Sequence, residues 1–288
     1  MKAREQKLEL IIAWAENNPD IRTVLLTSSL VNPYAPVDDF SDLDIELVFE
    51  NMHKYVADKK WIDLFGDPIS MIEEDDHSFD GKNAMKMVLY SDHVKVDFKL
   101  YQKEEFLKET QEEILPEDWD VGYKVLIDKD NLTKDLKPPS YQSIMIQKPS
   151  EKKFQQLLND FWWDTTYVVK CLKRGDLFYA KFMSENIIRT DYLVPLIEWY
   201  IASLHDWKNI TTNKHGRLFR KYLSPELWIK AEATFSGSNI EDNWNALYAS
   251  ADLVHELGKA LADKLTFKYP QKHENDIRKY LDAVRATY

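Results

Sequence analysis

Glycine is scarce in this chain, with 7 residues in 288. A dinucleotide-binding fold needs a glycine-rich turn where backbone meets pyrophosphate, and a barrel of many tight turns needs glycine at its corners. The composition speaks against both. Cysteine is scarcer still. Cys171 stands alone, which excludes an intrachain disulfide and suits a reducing compartment; a small buried residue is its expected role, rather than a nucleophile. Long apolar runs are also missing. No window reaches the length needed to span a bilayer. The first twenty residues set Leu8, Ile11, Ile12 and Ala15 at helical spacing among charges, without the continuous run of a signal peptide. Positive charge is in deficit too, 38 Lys and Arg against 49 Asp and Glu, for a formal net charge of −11. Nucleic acid and anionic membranes are therefore not expected partners, and a cationic one suits the chain better. The seven histidines show no metal-ligand spacing. These shortages together lead to the expectation of a soluble, cytoplasmic protein with no membrane attachment; monomer and homodimer both stay open.

What the chain does hold is enough apolar material for a sizeable core, 44% hydrophobic and 13% aromatic residues. Its length allows two modest domains. The first half mixes helices and strands. Residues 3–17 read as a helix; strands are expected at 21–26, 45–49, 69–72, 85–90, 94–100 and 123–128, with helices at 52–65 and 104–113. The run Val94 to Leu100 alternates strictly, placing Lys95, Asp97 and Lys99 on its polar face. The second half turns helical, with helices expected at 152–174, ending at Gly175, and at 177–204, kinked at Pro195. Others follow from Ser224-Pro225, at 243–265 and at 274–286. Pro138-Pro139-Ser140 and Lys148-Pro149-Ser150 mark a junction. The expected organisation is α+β, a mixed-sheet domain over 1–140 and an all-α helical bundle over 141–288.

The most informative stretch runs from Leu25 to Phe49. A short apolar strand ends in Thr27-Ser28-Ser29, where hydroxyls and exposed backbone N–H groups can hold phosphate oxygens. After a proline-broken loop and an acidic turn, a second strand opens with Asp42-Leu43-Asp44. Residues two apart share a face of a strand, which sets these carboxylates side by side, about 7 Å apart along the chain. Hard divalent cations such as magnesium take that arrangement of oxygen ligands, usually completed by substrate phosphates. Asp97, mid-strand on a polar face, is a third carboxylate able to meet the pair from a neighbouring strand. An isolated Asp-x-Asp is a weak signal, with about a one-in-ten prior of binding metal; the Ser-Ser loop before it and the third carboxylate raise it. A phosphate cradle followed by metal carboxylates suggests nucleotidyl transfer.

Asp39-Phe40-Ser41-Asp42-Leu43-Asp44-Ile45, Trp61-Ile62-Asp63-Leu64-Phe65-Gly66, Lys95-Val96-Asp97, Val125-Leu126-Ile127-Asp128-Lys129-Asp130 and Asn159-Asp160-Phe161-Trp162 together resemble the aminoglycoside 6-adenylyltransferases (streptomycin adenylyltransferases) of the nucleotidyltransferase superfamily. The similarity covers nearly the whole chain. It implies a polymerase-beta-like nucleotidyltransferase domain followed by an acceptor-binding helical domain, with the active site in the cleft between them. It also implies ATP as donor, Mg2+ as cofactor, and AMP transfer to an aminoglycoside hydroxyl with loss of pyrophosphate, giving antibiotic resistance. Asp42 and Asp44 would hold the metals, with Asp97 a third ligand or the base; a carboxylate beside two cations has a depressed pKa, which favours ligation for all three. The family's Gly-Ser-Arg loop stands here as Thr27-Ser28-Ser29, which loses a glycine and a cation. Lys214 and Arg217 align with family lysines and are candidate triphosphate contacts, the alternative being ordinary exposed charges. Asp160, Trp162, Trp163, Asp164 and Glu185 are candidate walls of an acceptor site, since a polycation with sugar faces suits carboxylates and aromatics; for either tryptophan alone, a core position is the commoner outcome. A nucleotidyltransferase for another small molecule, or a non-catalytic relative that binds nucleotide or a cationic ligand, are the alternatives.

Overall fold

The computed structural model describes residues 3–79 and 81–287, with only the backbone of Asp76 and Phe79 described. Two compact units divide the chain, Met1–Ile144 and Met145–Tyr288.

Helix α1 (Ala3–Asn17) opens the first unit and leads into β1 (Ile21–Thr27). Then follow β2 (Leu43–Phe49), α2 (Met52–Ala57), β3 (Pro68–Glu74), β4 (Asn83–Tyr90), β5 (Lys95–Gln102), α3 (Lys103–Thr110), α4 (Glu117–Asp120) and β6 (Tyr123–Asp128). The strands form one mixed sheet in the order β3-β4-β5-β2-β1-β6. Its central pair, β2 and β5, is parallel, and every other pairing is antiparallel. Alternation decides the two faces. Leu43, Ile45, Leu47 and Phe49 of β2 and Val96, Phe98 and Leu100 of β5 bury against Ile11 and Ala15 of α1 and against Trp61 and Phe65. Lys7 lies one helical turn before Ile11 on the same buried stripe. It is accepted there because its ammonium donates to the Phe65 carbonyl at 2.6 Å and pairs with Asp92 at 3.0 Å. The opposite face is graded. Val48 and Tyr101 join Leu25, Phe106 and Trp119 in a small core under α3 and α4, while Asp42, Asp44 and Asp97 occupy the other end of the same two strands.

Three expectations change at the element level. The helix expected at 52–65 stops at Ala57, because Asp58 is extended (φ −95, ψ 116) and the chain folds back to let the Trp61 indole N–H donate to the Tyr55 carbonyl at 3.0 Å. A short 3-10 turn, Ile62–Phe65, completes the stretch. The helix expected at 104–113 ends at Thr110, whose hydroxyl bonds back to the Leu107 carbonyl. The strand expected at 69–72 runs on through Glu73 and Glu74, with Glu73 paired to Lys59 and Lys86.

The second unit packs α5 (Glu151–Arg174), α6 (Leu177–Lys181), α7 (Val194–Leu204), α8 (Phe219–Tyr222), α9 (Pro225–Glu232), α10 (Ile240–Leu265) and α11 (Gln271–Ala286) around one core. The Ser150 hydroxyl caps α5 by accepting from Lys153 N, and Gly175 ends it in the left-handed conformation (φ 75). Ser224 likewise caps α9. The irregularity expected at Pro195 falls before it. Residues Phe182–Leu193 form a π-helical segment that runs without a break into α7, so the chain is helical through 177–204 and Pro195, which donates no bond, follows directly on the wide turns.

Candidate active site

The phosphate-loop candidates sit where β1 ends. Thr27 is buried and extended (φ −125, ψ −173), a conformation open to any L-residue. A threonine where the resemblance expects glycine therefore leaves this backbone unstrained. Ser28 takes the left-handed conformation (φ 61) and starts a 3-10 turn, Ser28–Leu30, closed by Val31 N donating to its carbonyl at 3.2 Å. Such geometry is costly for a residue with a side chain and concentrates at ligand-binding turns. The glycine this loop requires lies across from it: Gly122 (φ 122) approaches so closely that a Cβ there would meet the Val31 carbonyl oxygen at 3.1 Å.

An acidic turn then delivers the chain to β2. Asp38 accepts from Phe40 N at 2.9 Å, and its own N–H donates to the Ser41 hydroxyl at 2.9 Å. Arg4 of α1 clamps the turn through the Asp38 and Ser41 carbonyls, at 2.7 and 2.9 Å. Asp42 follows at the strand entrance. In the parallel register Asp44 stands directly opposite Asp97, so the sequence-distant third carboxylate does meet the pair. Asp44 is pushed up to about 6, by burial first and then by the charge of Asp97, with a hydrogen bond from Ser28 pulling the other way. Between Asp42 and Asp97 stands Lys95, also on β5. Its ammonium reaches Asp42 Oδ2 at 3.2 Å and Asp97 Oδ2 at 2.9 Å. Burial works against its charge, but the bonds and charge of Asp97 and then Asp42 outweigh this and hold it above the usual lysine range. The other Asp97 oxygen, Oδ1, is buried with no hydrogen-bond partner.

The donor set is all oxygen, which fits a hard divalent cation, and the unpartnered Asp97 Oδ1 is a ligand atom left over. As they stand, however, no three carboxylate, imidazole or thiolate groups among the described residues converge closely enough to hold a metal ion. Lys95 stands among the carboxylates instead.

Deeper along the same face, Glu46 is 2% exposed and opposite Lys99 in register. Burial pushes its carboxyl up to about 7, opposed by Lys99 and by the Trp119 indole N–H, which donates to it at 2.6 Å.

The remaining candidates belong to the helical unit. Lys214 and Arg217 are exposed on a turn with three positive-φ residues, Asn213, His215 and Gly216. Trp162 is wholly buried in the core, while Trp163 is 58% exposed. Asp164 accepts from the Tyr192 hydroxyl at 2.7 Å. Burial raises the Tyr192 hydroxyl's pKa, helped by its bond to Asp164 and by the charges of Asp164, Asp160 and Asp191. Glu185 is engaged by Lys181 at 3.0 Å and Arg189 at 2.6 Å within the π-helical segment. Cys171 is buried. No helix among the described residues is long and apolar enough to cross a membrane.

Sequence reasoning passed over Lys95, Gly122 and Tyr192. Lys95 alone left a signal, since strict alternation puts it on the face that carries Asp97.

A family model described as Streptomycin adenylyltransferase matches residues 1–284. An aminoglycoside 6-adenylyltransferase of Campylobacter jejuni is 28% identical over all of this chain and 98% of its own length. One of Bacillus subtilis is 27% identical over 99% of this chain and 98% of its own. A crystal structure of an aminoglycoside 6-adenyltransferase from Bacillus subtilis aligns over the full length of both chains with 24% identity and a TM-score of 0.48.

Proposed function

The chain belongs to the streptomycin adenylyltransferase family and is a nucleotidyltransferase, and on that premise we propose that it moves AMP from Mg-ATP to a hydroxyl of an aminoglycoside, streptomycin being the first candidate, with release of pyrophosphate. Loss of antibiotic action is the consequence. The observation that carries this reading is the register that sets Asp44 opposite Asp97, beside a loop that ends one strand over in Ser28.

Asp42, Asp44 and Asp97 would hold the divalent cation. When bound, it neutralises charge at the transferred phosphorus and acidifies the attacking hydroxyl. The chain's own residues do the rest. Ser28, whose side chain already bonds Asp44, and the backbone of the following turn orient the leaving phosphates. The acceptor oxygen then bonds to the α-phosphorus, the bond from that phosphorus to the bridging oxygen breaks, and pyrophosphate departs with the electron pair. The hydroxyl proton passes to a carboxylate of the site or to water. In the helical unit, Asp160, Asp164 and Asp191 around Tyr192, with exposed Trp163 on the same helix as the first two, suit a polycation with sugar faces. Trp162, sealed in the core, takes no part in contact with the acceptor. Exposed Lys214 and Arg217 are assigned to the triphosphate.

The test is incubation of the purified protein with Mg-ATP and streptomycin, followed by mass spectrometry for an AMP-bearing product. A product that disappears in Asp42→Asn and Asp44→Asn supports the reading. Product from another acceptor alone overturns the substrate but keeps the chemistry. Silence across a wide panel of acceptors and nucleotides overturns the reading.

A further inference from the structure

Lys95 has an unusual station. Its ammonium contacts a carboxylate oxygen of Asp42 and one of Asp97 at once, in the space between the groups assigned to the metal. The side chain starts on the same strand and the same face as Asp97, so the fold itself delivers a cation there. Asp44 feels the charge of the ammonium without the ion pairs that Asp42 and Asp97 make, while Asp97 Oδ1 is left buried and unpartnered. One tethered monovalent charge thus satisfies part of a site whose carboxylates hold more negative charge than it can neutralise.

We propose that Lys95 is a built-in counter-ion that competes with the divalent cation for Asp42 and Asp97, so that metal enters tightly only when nucleotide comes with it. The proposal rests on the assignment of these aspartates to metal. Two functions follow from one contact. With no divalent cation bound, the ammonium offsets repulsion between Asp42 and Asp97, which it contacts, and lessens theirs with Asp44. A bare divalent cation must displace it, and part of its Coulomb gain is spent breaking the Lys95 contacts. A metal arriving with a triphosphate brings anionic oxygens to which the displaced ammonium can turn, so the same displacement costs less. Linkage then requires that nucleotide and metal each tighten the other through Lys95 by equal factors. Lys95 is accordingly a positioning residue, acting through the ligands it releases.

The direct test measures Mn2+ binding to the full chain without nucleotide, from the electron paramagnetic resonance signal of unbound Mn2+. Wild type is compared with Lys95→Met, Lys95→Arg and Asp44→Asn, each checked for folding by circular dichroism. Lys95→Met should bind Mn2+ about tenfold more tightly. Lys95→Arg, which keeps the cation, should stay within about twofold of wild type. A non-hydrolysable ATP analogue should tighten Mn2+ binding less in Lys95→Met than in wild type. In chelator, Lys95→Met should melt below wild type, and Mn2+ should recover the difference. If Lys95→Met folds poorly, Lys95→Gln takes its place with the same expectation. Unchanged or weaker Mn2+ binding in both neutral variants overturns the counter-ion role, as does failure of wild type and the neutral variants alike to bind Mn2+. A wild-type affinity retained by Asp44→Asn is a separate failure, that of the metal assignment itself.

Discussion

Asp44 and Glu46 are neighbours on one face of β2, and both carry charge where the fold resists it. Asp44 has its carboxyl raised from 3.8 to about 6, through burial and the facing Asp97. A folded-state pKa above the unfolded one means that the group's contribution to stability is full below about pH 4 and is lost as pH rises through about 6. Asp44→Asn removes that penalty. In chelator it should raise the melting temperature at pH values above about 7, by a margin on the order of 1–3 kcal/mol that closes below about pH 4. The same change should lower turnover by about 10²–10³-fold, because charge stabilisation at the transferred phosphorus goes with it. A melting temperature that falls at high pH, or turnover that survives, would contradict the assignment. Glu46, pushed up to about 7 by burial, has the same sign with a later window. Glu46→Gln keeps an acceptor for the Trp119 indole N–H, and its stabilisation should grow as pH rises from about 4.5 and level off above about 7. Urea titrations at about pH 5 and about pH 8 check this, and equal gains at both would sink it. Burying charge at this cost of stability is expected where function requires it.

The elements that hold the site are less regular than the strands that carry it. The turn after β1 relies on Gly122, whose positive φ and 3.1 Å clearance to Val31 leave no room for a methyl group. Gly122→Ala should displace the Ser28–Leu30 turn, raising KM for the nucleotide more than it lowers kcat and costing about 1–2 kcal/mol of stability. An unchanged nucleotide KM would show that this turn does not touch the phosphates. Gly122 could not be found from sequence, because the demand arises from a close approach between segments far apart in the chain. The strands were legible for the opposite reason. Alternation in Val94 to Leu100 reports local burial, and a period of two fixes which side chains share a face. It put Asp97 on the polar face, able to meet the Asp42 and Asp44 pair from a neighbouring strand, but did not say which of the two it faces, which depends on the parallel register of β2 and β5. Lys95 was visible on the right face yet silent as to role, since its two contacts are set by that register. In the helical unit, Ser150 and Gly175 announced the ends of α5 by their capping chemistry. The π-helical segment did not announce itself, since apolar spacing along a helix does not tell i→i+5 bonding from i→i+4 bonding. Likewise the pair Trp162 and Trp163 could be divided between core and surface only once the packed stripe of α5 was known.

Over the whole molecule the dominant fact is charge. A formal −11 sets up a field that draws cations from a distance, and the carboxylates around Tyr192 give that field a local focus. If the acceptor is a polycation, its capture depends on ionic strength in a way that the chemical step does not. Raising salt from about 0.01 M to about 1 M shortens the Debye length from about 30 Å to about 3 Å. The acceptor KM should then rise by about tenfold or more, while kcat, set by groups in contact with the reacting atoms, changes little. Asp160→Asn and Asp164→Asn should each flatten this salt dependence without altering the fold, since Asp160 and Asp164 are only half-buried. An effect of salt on the nucleotide works against the measurement, because ATP is itself an anion. Saturating nucleotide and metal throughout isolates the acceptor term. A KM that does not respond to salt would argue that neutral sugar contacts, rather than charge, recognise the acceptor. A KM that responds in wild type and equally in both variants would move the binding surface away from Tyr192.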